Sequence, residues 1–193
     1  MSASPREELK ALLKERSYRY SPDAPFTLAS GKQSPFYFNC KAVTLSGRGL
    51  NLMGPVLLEV FKTLPEATAV GGLTLGADAL AMALASHASA NGEALDSFVI
   101  RKEAKGHGTR KWVEGELAEG ARVVILDDVC TTGGSTVKAI ERATECGLKV
   151  VGALVLIDRK EEDGMANIEA TLKKIGAEGG AKAVYTVNDF LDS

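Results

Sequence analysis

The sequence predicts an α/β fold in which a central, mostly parallel β-sheet is flanked by helices. Short apolar segments alternate with amphipathic helical segments, and this alternation is typical of parallel strands joined by helical crossovers. The length of 193 residues and the hydrophobic content of 45% suit one domain with one main core. The predicted strands lie near 67–71, 97–101, 122–126, 149–157 and 183–187, and the predicted helices near 48–63, 76–90 and 134–146.

Two elements precede this alternation. Ser4, Pro5 and Glu7 form the pattern of a helix N-cap, a proline in the first turn and a capping-box glutamate, so a first helix is predicted to begin here. Residues 25–40, PFTLASGKQSPFYFNC, alternate apolar and polar residues around a Gly-Lys turn. This pattern predicts a hairpin that is separate from the main core.

Composition excludes several classes of function. The net charge of -2 gives no general attraction to nucleic acid or to an anionic membrane, so neither is expected as a partner. Cys40, Cys130 and Cys146 are odd in number and lack C-x-x-C spacing, which disfavours a disulfide framework or a structural zinc site. No apolar run approaches the ~20 residues of a membrane helix, and residues 1–16 lack the apolar middle of a signal peptide. These features predict a cytoplasmic protein.

Residues 123–136, VVILDDVCTTGGST, carry the most specific chemical pattern. The apolar start predicts a buried strand, with Asp127 and Asp128 at its carboxyl end, where parallel sheets bind ligands. Successive strand residues point to opposite faces, so we expect the carboxylates to offer acceptors in two directions, suited to vicinal hydroxyls or a water-bound metal. The hydroxyls and glycines of 131–135 precede a helix and suit an oxyanion such as phosphate. Together they predict a sugar-phosphate site.

Simpler interpretations of these residues stay open. Paired aspartates often mark a solvated strand end followed by a helix cap, and Thr-Thr-Gly-Gly can form an ordinary turn. Two familiar nucleotide-binding motifs do not fit, because the chain has no G-x-x-x-x-G-K-[ST] and GGLTLGAD at 71–78 lacks G-x-G-x-x-G spacing. The close spacing of carboxylates, hydroxyls and glycines favours the sugar-phosphate site.

Four segments together resemble the orotate phosphoribosyltransferases, a family of type I phosphoribosyltransferases. VVILDDVCTTGGS at 123–135 is similar to the motif that binds 5-phosphoribosyl 1-pyrophosphate (PRPP). FTLASGKQSPFYFN at 26–39, RKEAKGHG at 101–108 and LIDRKEEDG at 156–164 follow the order and spacing of that family. The resemblance extends over nearly the whole chain.

The resemblance implies a fold and a reaction. The fold would be that of a type I phosphoribosyltransferase, with one domain over residues 1–193. A small N-terminal hood subdomain would be formed mainly by residues 20–42, with contributions from the C-terminal part. The reaction would be the Mg²⁺-dependent transfer of ribose 5-phosphate from PRPP to orotate, which gives orotidine 5'-monophosphate and pyrophosphate in pyrimidine (UMP) biosynthesis.

The resemblance also assigns roles to the residues of the PRPP motif. Asp127 and Asp128 would be catalytic and would hold the ribose hydroxyls. No direct protein ligand of Mg²⁺ is expected, because PRPP and water would hold the metal near these two carboxylates. The 5-phosphate would be bound by Thr131, Thr132, Gly133, Gly134 and Ser135.

A second group of residues matches a mobile loop that closes over pyrophosphate. Arg101, Lys102, Lys105 and His107 are the matching residues, and Lys105 corresponds to the catalytic lysine of the family. Cations there would act where negative charge develops on the leaving pyrophosphate. Taken alone, cations among glycines are also typical of a solvated loop. The resemblance further implies a homodimer in which loop 101–110 is shared across the interface.

A third group would bind orotate. Arg159 matches the arginine that pairs with the orotate carboxylate, although a surface arginine at a strand end is the simpler interpretation. Phe36 and Tyr37 match residues that cover orotate, partly through backbone contacts, and aromatic packing alone would also explain them. Thr131 would contact orotate as well as PRPP. We expect His87 to be a helix-surface residue with no catalytic role and Trp112 to be structural.

Two other functions stay open. The same PRPP site could serve a purine or another pyrimidine, but such a base has no carboxylate to pair with Arg159. A PRPP-sensing regulator could keep the fold without catalysis, but the loop cations of a catalyst are present. Ala29 and Leu75 stand where better-known members of the family have lysines, which puts the affinity for substrate in question.

Overall fold

The computed structural model describes residues 3–27, 31, 33–104 and 112–191. In chain order these residues form α1 (Pro5–Arg16), β1 (Tyr18–Tyr20), β2 (Phe26–Thr27), β3 (Gln33–Ser34), β4 (Phe36–Phe38), α2 (Lys41–Thr44), α3 (Gly47–Phe61), β5 (Ala69–Leu73), α4 (Asp78–Ala90), β6 (Asp96–Ile100), β7 (Val113–Glu114), β8 (Arg122–Cys130), α5 (Gly134–Glu145), β9 (Lys149–Asp158), α6 (Gly164–Lys174) and β10 (Ala181–Thr186).

The central sheet has six strands in the order β10-β9-β8-β5-β6-β7. All of its neighbouring strands are parallel except β7, which is antiparallel to β6 at one edge. The prediction of a mostly parallel sheet flanked by helices is therefore confirmed. The carboxyl ends of β5, β6, β8 and β9 lie at the same edge, and the loops that leave this edge can form one site.

The helices cover both faces of the sheet. Alternate residues of β8 enter different cores, because successive side chains of a strand point to opposite faces. Val124 and Leu126 pack with α1, α3 and α4, and Val123 and Ile125 pack with α5 and α6. A strand buried on both faces needs a continuous apolar run, which explains the sequence at the start of β8.

The first helix begins as predicted. The Ser4 hydroxyl accepts a hydrogen bond from the Glu7 N–H at 3.3 Å, and the Glu7 carboxylate accepts one from the Ser4 N–H at 2.8 Å. This capping box satisfies backbone donors that have no partner within the helix. On its inner face, Leu9 and Leu13 are fully buried in the main core.

The β8 strand is longer than the apolar run from which it was predicted. It continues through Asp127 and Asp128 to Cys130, so the two aspartates lie inside the last part of the strand and not after it. The cause is pairing with β9, whose Val155 and Ile157 stand opposite Asp127 and Val129. Cross-strand hydrogen bonds thus override the low strand propensity of aspartate.

The predicted hairpin of residues 25–40 is confirmed only in its inner part, where β2 pairs antiparallel with β3 on either side of the Gly-Lys turn. The β4 strand, which contains Phe36 and Phe38, pairs with β1 instead and forms a second small sheet. The region is also not separate from the main core, because Phe38 is buried in it and its ring lies 5.2 Å from the ring of Phe190. The β4 strand finds a better partner in β1 because its aromatic rings pack against those of Tyr18 and Tyr20.

The α6 helix and the short β7 strand were not predicted. The signal for α6 is the apolar spacing of Met165, Ile168 and Leu172, which covers one helix face. No helix in the described ranges is both long enough and apolar enough to cross a membrane.

Candidate functional site

A cleft of about 550 Å³ lies at the carboxyl edge of the central sheet. It contains residues from two of the three predicted groups: Asp127 and the loop before α5 from the first group, and Tyr37 and Arg159 from the group predicted to bind orotate. The structure therefore brings together parts of the chain that are far apart in sequence. The lining residues are Thr27, Tyr37, Phe38, Asp127, Val129, Thr131, Thr132, Gly133, Gly134, Ser135 and Arg159.

The loop between β8 and α5 is shaped for an oxyanion. Gly133 has a φ of +74°, and a Cβ there would come within 2.5 Å of the Gly164 carbonyl oxygen, so only glycine fits. The N-cap residue of α5, Gly133, has no side chain, and the Gly134 N–H donates to the Thr132 hydroxyl at 3.2 Å. The positive end of the helix faces the cleft. The Asn167 side chain holds the loop by donating to the Thr132 carbonyl at 3.0 Å.

The two aspartates of β8 form a tight carboxylate pair. Asp127 is only 6% exposed and accepts a hydrogen bond from the Thr136 hydroxyl at 2.8 Å. A Cβ at Gly76 would lie 3.0 Å from the Asp127 Oδ1 and 2.7 Å from the Asp128 Oδ1. Both Oδ1 atoms therefore lie close to Gly76. The Oδ2 atoms face two directions as predicted, that of Asp127 toward Thr136 of α5 and that of Asp128 toward Lys41 of α2. Each Oδ1 also accepts the N–H of the following residue at 3.0 Å, which turns both side chains toward the same loop.

The surroundings of this pair change its acid–base properties. Burial raises the pKa of the Asp127 carboxyl to about 7, and the neighbouring charge of Asp128 adds to the rise. Lys41, at the start of α2, lowers the pKa of Asp127, and its Nζ lies 3.5 Å from the Asp128 Oδ2. Lys41 was not predicted as a site residue, because no local pattern links the start of α2 to the end of β8.

Arg159 is held by a buried polar network. The residue is 5% exposed, and its Nη2 donates to the Ser34 hydroxyl at 2.9 Å and to the Phe36 carbonyl at 2.8 Å. The same Nη2 lies 2.9 Å from Glu161 Oε2, and the other oxygen of Glu161 accepts from the Ser34 hydroxyl at 2.7 Å. This network excludes the simpler interpretation of a surface arginine.

Part of the Arg159 guanidinium still lacks a partner. Its Nε is buried and has no hydrogen-bond partner among the described residues. Burial lowers the pKa of the guanidinium, and the charges of Glu161 and Glu162 act in the opposite direction. Ser34 and Glu161 were not predicted as site residues, although Ser34 stands two residues before Phe36 and Glu161 two residues after Arg159.

The aromatic residues of β4 have different positions. The Tyr37 ring is partly exposed at the cleft and lies 5.4 Å from the Phe26 ring. The Phe36 ring stacks on Tyr20 at 5.3 Å and packs against the main core. Among the described residues, Phe36 therefore reaches the site only through its carbonyl, which binds Arg159, whereas Thr27 and Phe38 line the cleft without having been predicted.

The predicted pyrophosphate loop is described only in part. Arg101 forms an ion pair with Glu114 at 2.9 Å, and its side chain does not line the cleft described above. Lys102 is exposed next to it. Lys105 and His107 lie outside the described residues, as does Ala29.

The loop between β5 and α4 packs against the aspartate pair through Gly76. It contains a cis peptide bond between Thr74 and Leu75. Leu75 is 62% exposed, so an exposed apolar residue occupies the position where better-known members of the family carry lysine. In this loop the Thr74 N–H donates to the Ile100 carbonyl, and the Ala77 N–H donates to the Leu73 carbonyl.

Comparison with known proteins identifies relatives over nearly the full length. Residues 66–176 match the phosphoribosyl transferase domain family. An orotate phosphoribosyltransferase of Thermosynechococcus vestitus is 48% identical over 156 residues, which cover 80% of this chain and 80% of the relative. That of Sorangium cellulosum is 40% identical over 191 residues, covering 98% and 94%.

The structural comparison agrees with the sequence comparison. The crystal structure of Mycobacterium tuberculosis orotate phosphoribosyltransferase in complex with PRPP is 31% identical, with a TM-score of 0.75. The similarity covers 96% of this chain and 98% of that chain. The same arrangement of sheet and helices is therefore shared from end to end.

Proposed function

The chain belongs to the orotate phosphoribosyltransferase family, and we propose that it transfers ribose 5-phosphate from PRPP to orotate. The products are orotidine 5'-monophosphate and pyrophosphate. The observation that carries the proposal is the cleft itself, where a helix start suited to phosphate, a carboxylate pair and a buried arginine stand together. A place in UMP biosynthesis and a cytoplasmic location follow from the proposal as predictions.

PRPP would bind along the carboxyl edge of the sheet. Its 5-phosphate would accept hydrogen bonds from the backbone and hydroxyl groups of residues 131–135 at the start of α5. The Asp127 and Asp128 carboxylates would accept hydrogen bonds from the ribose hydroxyls. The Thr136 bond fixes Asp127 before the ligand arrives, so little ordering is needed on binding.

Orotate would bind between Tyr37 and Arg159. A carboxylate on the base would meet a guanidinium whose Nε has no hydrogen-bond partner among the described residues and whose orientation is held by Ser34 and Glu161. Charge-assisted hydrogen bonds are strong where water is excluded, so this contact would select a base that carries a carboxylate. Phe36 would contribute by orienting Arg159 through its carbonyl.

Magnesium fits this site as a metal carried mainly by the substrate. Among the described residues no group of three or more His, Cys, Asp or Glu side chains that could hold a metal converges. Asp127 and Asp128 would stand beside a Mg²⁺ that PRPP oxygens and water coordinate. When bound, the metal would neutralise negative charge on the pyrophosphate.

The reaction breaks the bond between ribose C1 and a pyrophosphate oxygen, and the electron pair leaves with pyrophosphate. A ring nitrogen of orotate supplies the electron pair of the new bond, and the proton that this nitrogen carried is released to water or to the departing pyrophosphate. Positive charge develops on the ribose and negative charge on the leaving group, so fixed groups of matching charge lower the barrier. We propose that the carboxylates face the ribose and that Arg101, Lys102, Lys105 and His107 serve the pyrophosphate.

The direct test is the PRPP-dependent loss of orotate absorbance with purified protein. Adenine, hypoxanthine and uracil are run in parallel under the same conditions. Turnover of orotate alone supports the proposal, and turnover of a neutral base instead would replace it with a different substrate. PRPP binding without turnover of any of the four bases would favour a PRPP-sensing regulator.

The proposed homodimer makes a prediction about shared sites. If the loop of one subunit serves the site of its partner, Asp128→Asn and Lys105→Ala proteins are each inactive, but a mixed dimer contains one complete site. That site combines an intact Asp128 with an intact loop from the other chain. With free exchange, about half of the dimers are mixed, so roughly a quarter of all sites should recover.

The measurement is orotate turnover after the two inactive proteins are mixed under conditions that exchange subunits. Differently tagged subunits report the fraction of mixed dimers. Co-purification of the two tags without recovered activity would show that the loop acts in its own subunit, and absence of co-purification at all protein concentrations would show that no exchanging dimer forms.

A further inference from the structure

Arg142, near the end of α5, is a buried arginine without an ion pair among the described contacts. It is 7% exposed, and its Nη1 and Nη2 donate to the carbonyls of Arg101 and Lys102 at 2.6 Å and 3.0 Å. Its guanidinium carbon lies 3.9 Å from the centre of the Trp112 ring. The residues that it contacts are thus the two ends of the segment that connects β6 with β7.

Other bonds close the same junction. The Arg101 N–H donates to the Trp112 carbonyl at 2.8 Å, which continues the pairing of β6 with β7. The Trp112 Nε1 donates to Glu145 at 2.9 Å. Glu145 follows Arg142 by three residues and therefore lies on the same face of α5. One helix face holds both the start and the end of the segment.

The chemistry of this contact requires arginine. A buried cation is costly unless hydrogen bonds satisfy it, and here two carbonyls and an aromatic face surround the guanidinium. The planar fork reaches two successive carbonyls at once while its face covers the ring, which a lysine ammonium cannot do. The geometry is specific for the two backbone positions that precede 103–111.

We propose that Arg142 is a positioning residue that fixes Arg101, Lys102 and Trp112, which flank segment 103–111, relative to the phosphate-binding start of α5. The inference rests on the proposed function, because Arg101 and Lys102 are the proposed pyrophosphate contacts and residues 131–135 are the proposed 5-phosphate contacts. PRPP carries both groups. The α5 helix begins within the 5-phosphate contacts, and through Arg142 it holds the backbone of the pyrophosphate contacts. The helix therefore sets the distance between the two groups of contacts.

The test compares Arg142→Lys with Arg122→Lys. Arg122 also uses its fork, on Glu178 and the Glu66 carbonyl, but it lies at the opposite end of β8. We expect Arg142→Lys to lower kcat/KM for PRPP by about ten- to a hundredfold, because small displacements of contacting groups are costly in catalysis. KM for orotate should stay within about twofold. Arg122→Lys should leave all of these values unchanged.

A second readout follows the junction itself. Trp112 is the only tryptophan of the chain, so its fluorescence reports directly on the contact with Arg142. Emission should move to longer wavelength in Arg142→Lys and stay unchanged in Arg122→Lys. A shifted emission with an unchanged kcat/KM for PRPP would overturn the proposal, since the junction would then be altered without any effect on substrate.

A further variant covers the case in which Arg142→Lys does not fold. Trp112→Leu removes the ring from a partly buried position and leaves both carbonyl bonds in place, and it should lower kcat/KM for PRPP by at least about threefold. An unchanged kcat/KM for PRPP overturns the proposal.

If the wild type does not turn over orotate, the proposed reaction fails. The affinity for PRPP, measured by calorimetry with wild type and Arg142→Lys, then tests the positioning role. Equal affinity of wild type and Arg142→Lys, or no binding to either, overturns the positioning role.

Discussion

Asp127→Asn is expected to stabilise the folded protein at pH 8 while removing most of its activity. The folded-state pKa of Asp127 is raised to about 7 by burial and by Asp128, whereas the ordinary value is 3.8. Between pH 3.8 and about pH 7, the Asp127 carboxyl keeps its proton in the folded protein but has released it in the unfolded chain. The stability that this proton contributes is complete below pH 4 and is lost as the pH rises through 7. Asparagine keeps the shape and has no proton to lose.

The size of the effect follows from the shift in pKa. At pH 8 the variant should gain roughly 2–4 kcal/mol in the free energy of unfolding, because each pKa unit corresponds to about 1.4 kcal/mol. Urea unfolding at pH 5 and pH 8 measures it, with Asp96→Asn at the exposed start of β6 as the control. A difference from wild type that does not grow between pH 5 and pH 8 would contradict the prediction.

The same carboxylate predicts the pH dependence of activity. In its ionised form Asp127 can accept hydrogen bonds from ribose hydroxyls, so kcat/KM for PRPP in the wild type should rise as the pH passes through about 7. Lys41 lowers this pKa, so Lys41→Met should move the rise to higher pH. Asp127→Asn should lower kcat/KM for PRPP by roughly 10²-fold above pH 7, where wild-type Asp127 is ionised and a fixed charge facing the ribose is lost, and by less below pH 7, where wild-type Asp127 is protonated.

Arg159→Ala is expected to remove most of the preference for orotate. KM for orotate should rise by about a hundredfold or more, because a charge-assisted pair in a site shielded from water is lost. KM for PRPP should change little, because the PRPP contacts come from β8 and the start of α5. The ratio of kcat/KM for orotate to that for uracil should fall by a similar factor, since uracil has no carboxylate.

The control for Arg159→Ala must separate binding from stability. Removing the guanidinium leaves Glu161 and Ser34 without their partner, so a loss of stability of about 2–4 kcal/mol is also expected. The double variant Arg159→Ala/Glu161→Gln should recover part of this stability but none of the orotate affinity. Equal losses of affinity for orotate and PRPP would count against the proposed role of Arg159.

The sequence by itself determined the fold class and the chemistry of the β8 to α5 segment. Apolar runs and amphipathic spacing are local signals, and they predicted the parallel sheet and its flanking helices. The position of Asp127 to Ser135 between a strand and a helix was also visible locally. Parallel strands place such junctions at one edge, so the location of the cleft followed from the pattern.

The tertiary structure alone decided which distant residues complete the site. Pairing with β9 placed Asp127 inside a strand, and pairing with β1 changed the predicted hairpin. Lys41 next to Asp128, Ser34 on Arg159, and Arg142 on the Arg101 carbonyl are contacts between residues 41 to 125 positions apart. Contacts at such separations leave no periodicity in the sequence, because they depend on how whole strands and helices pack against one another.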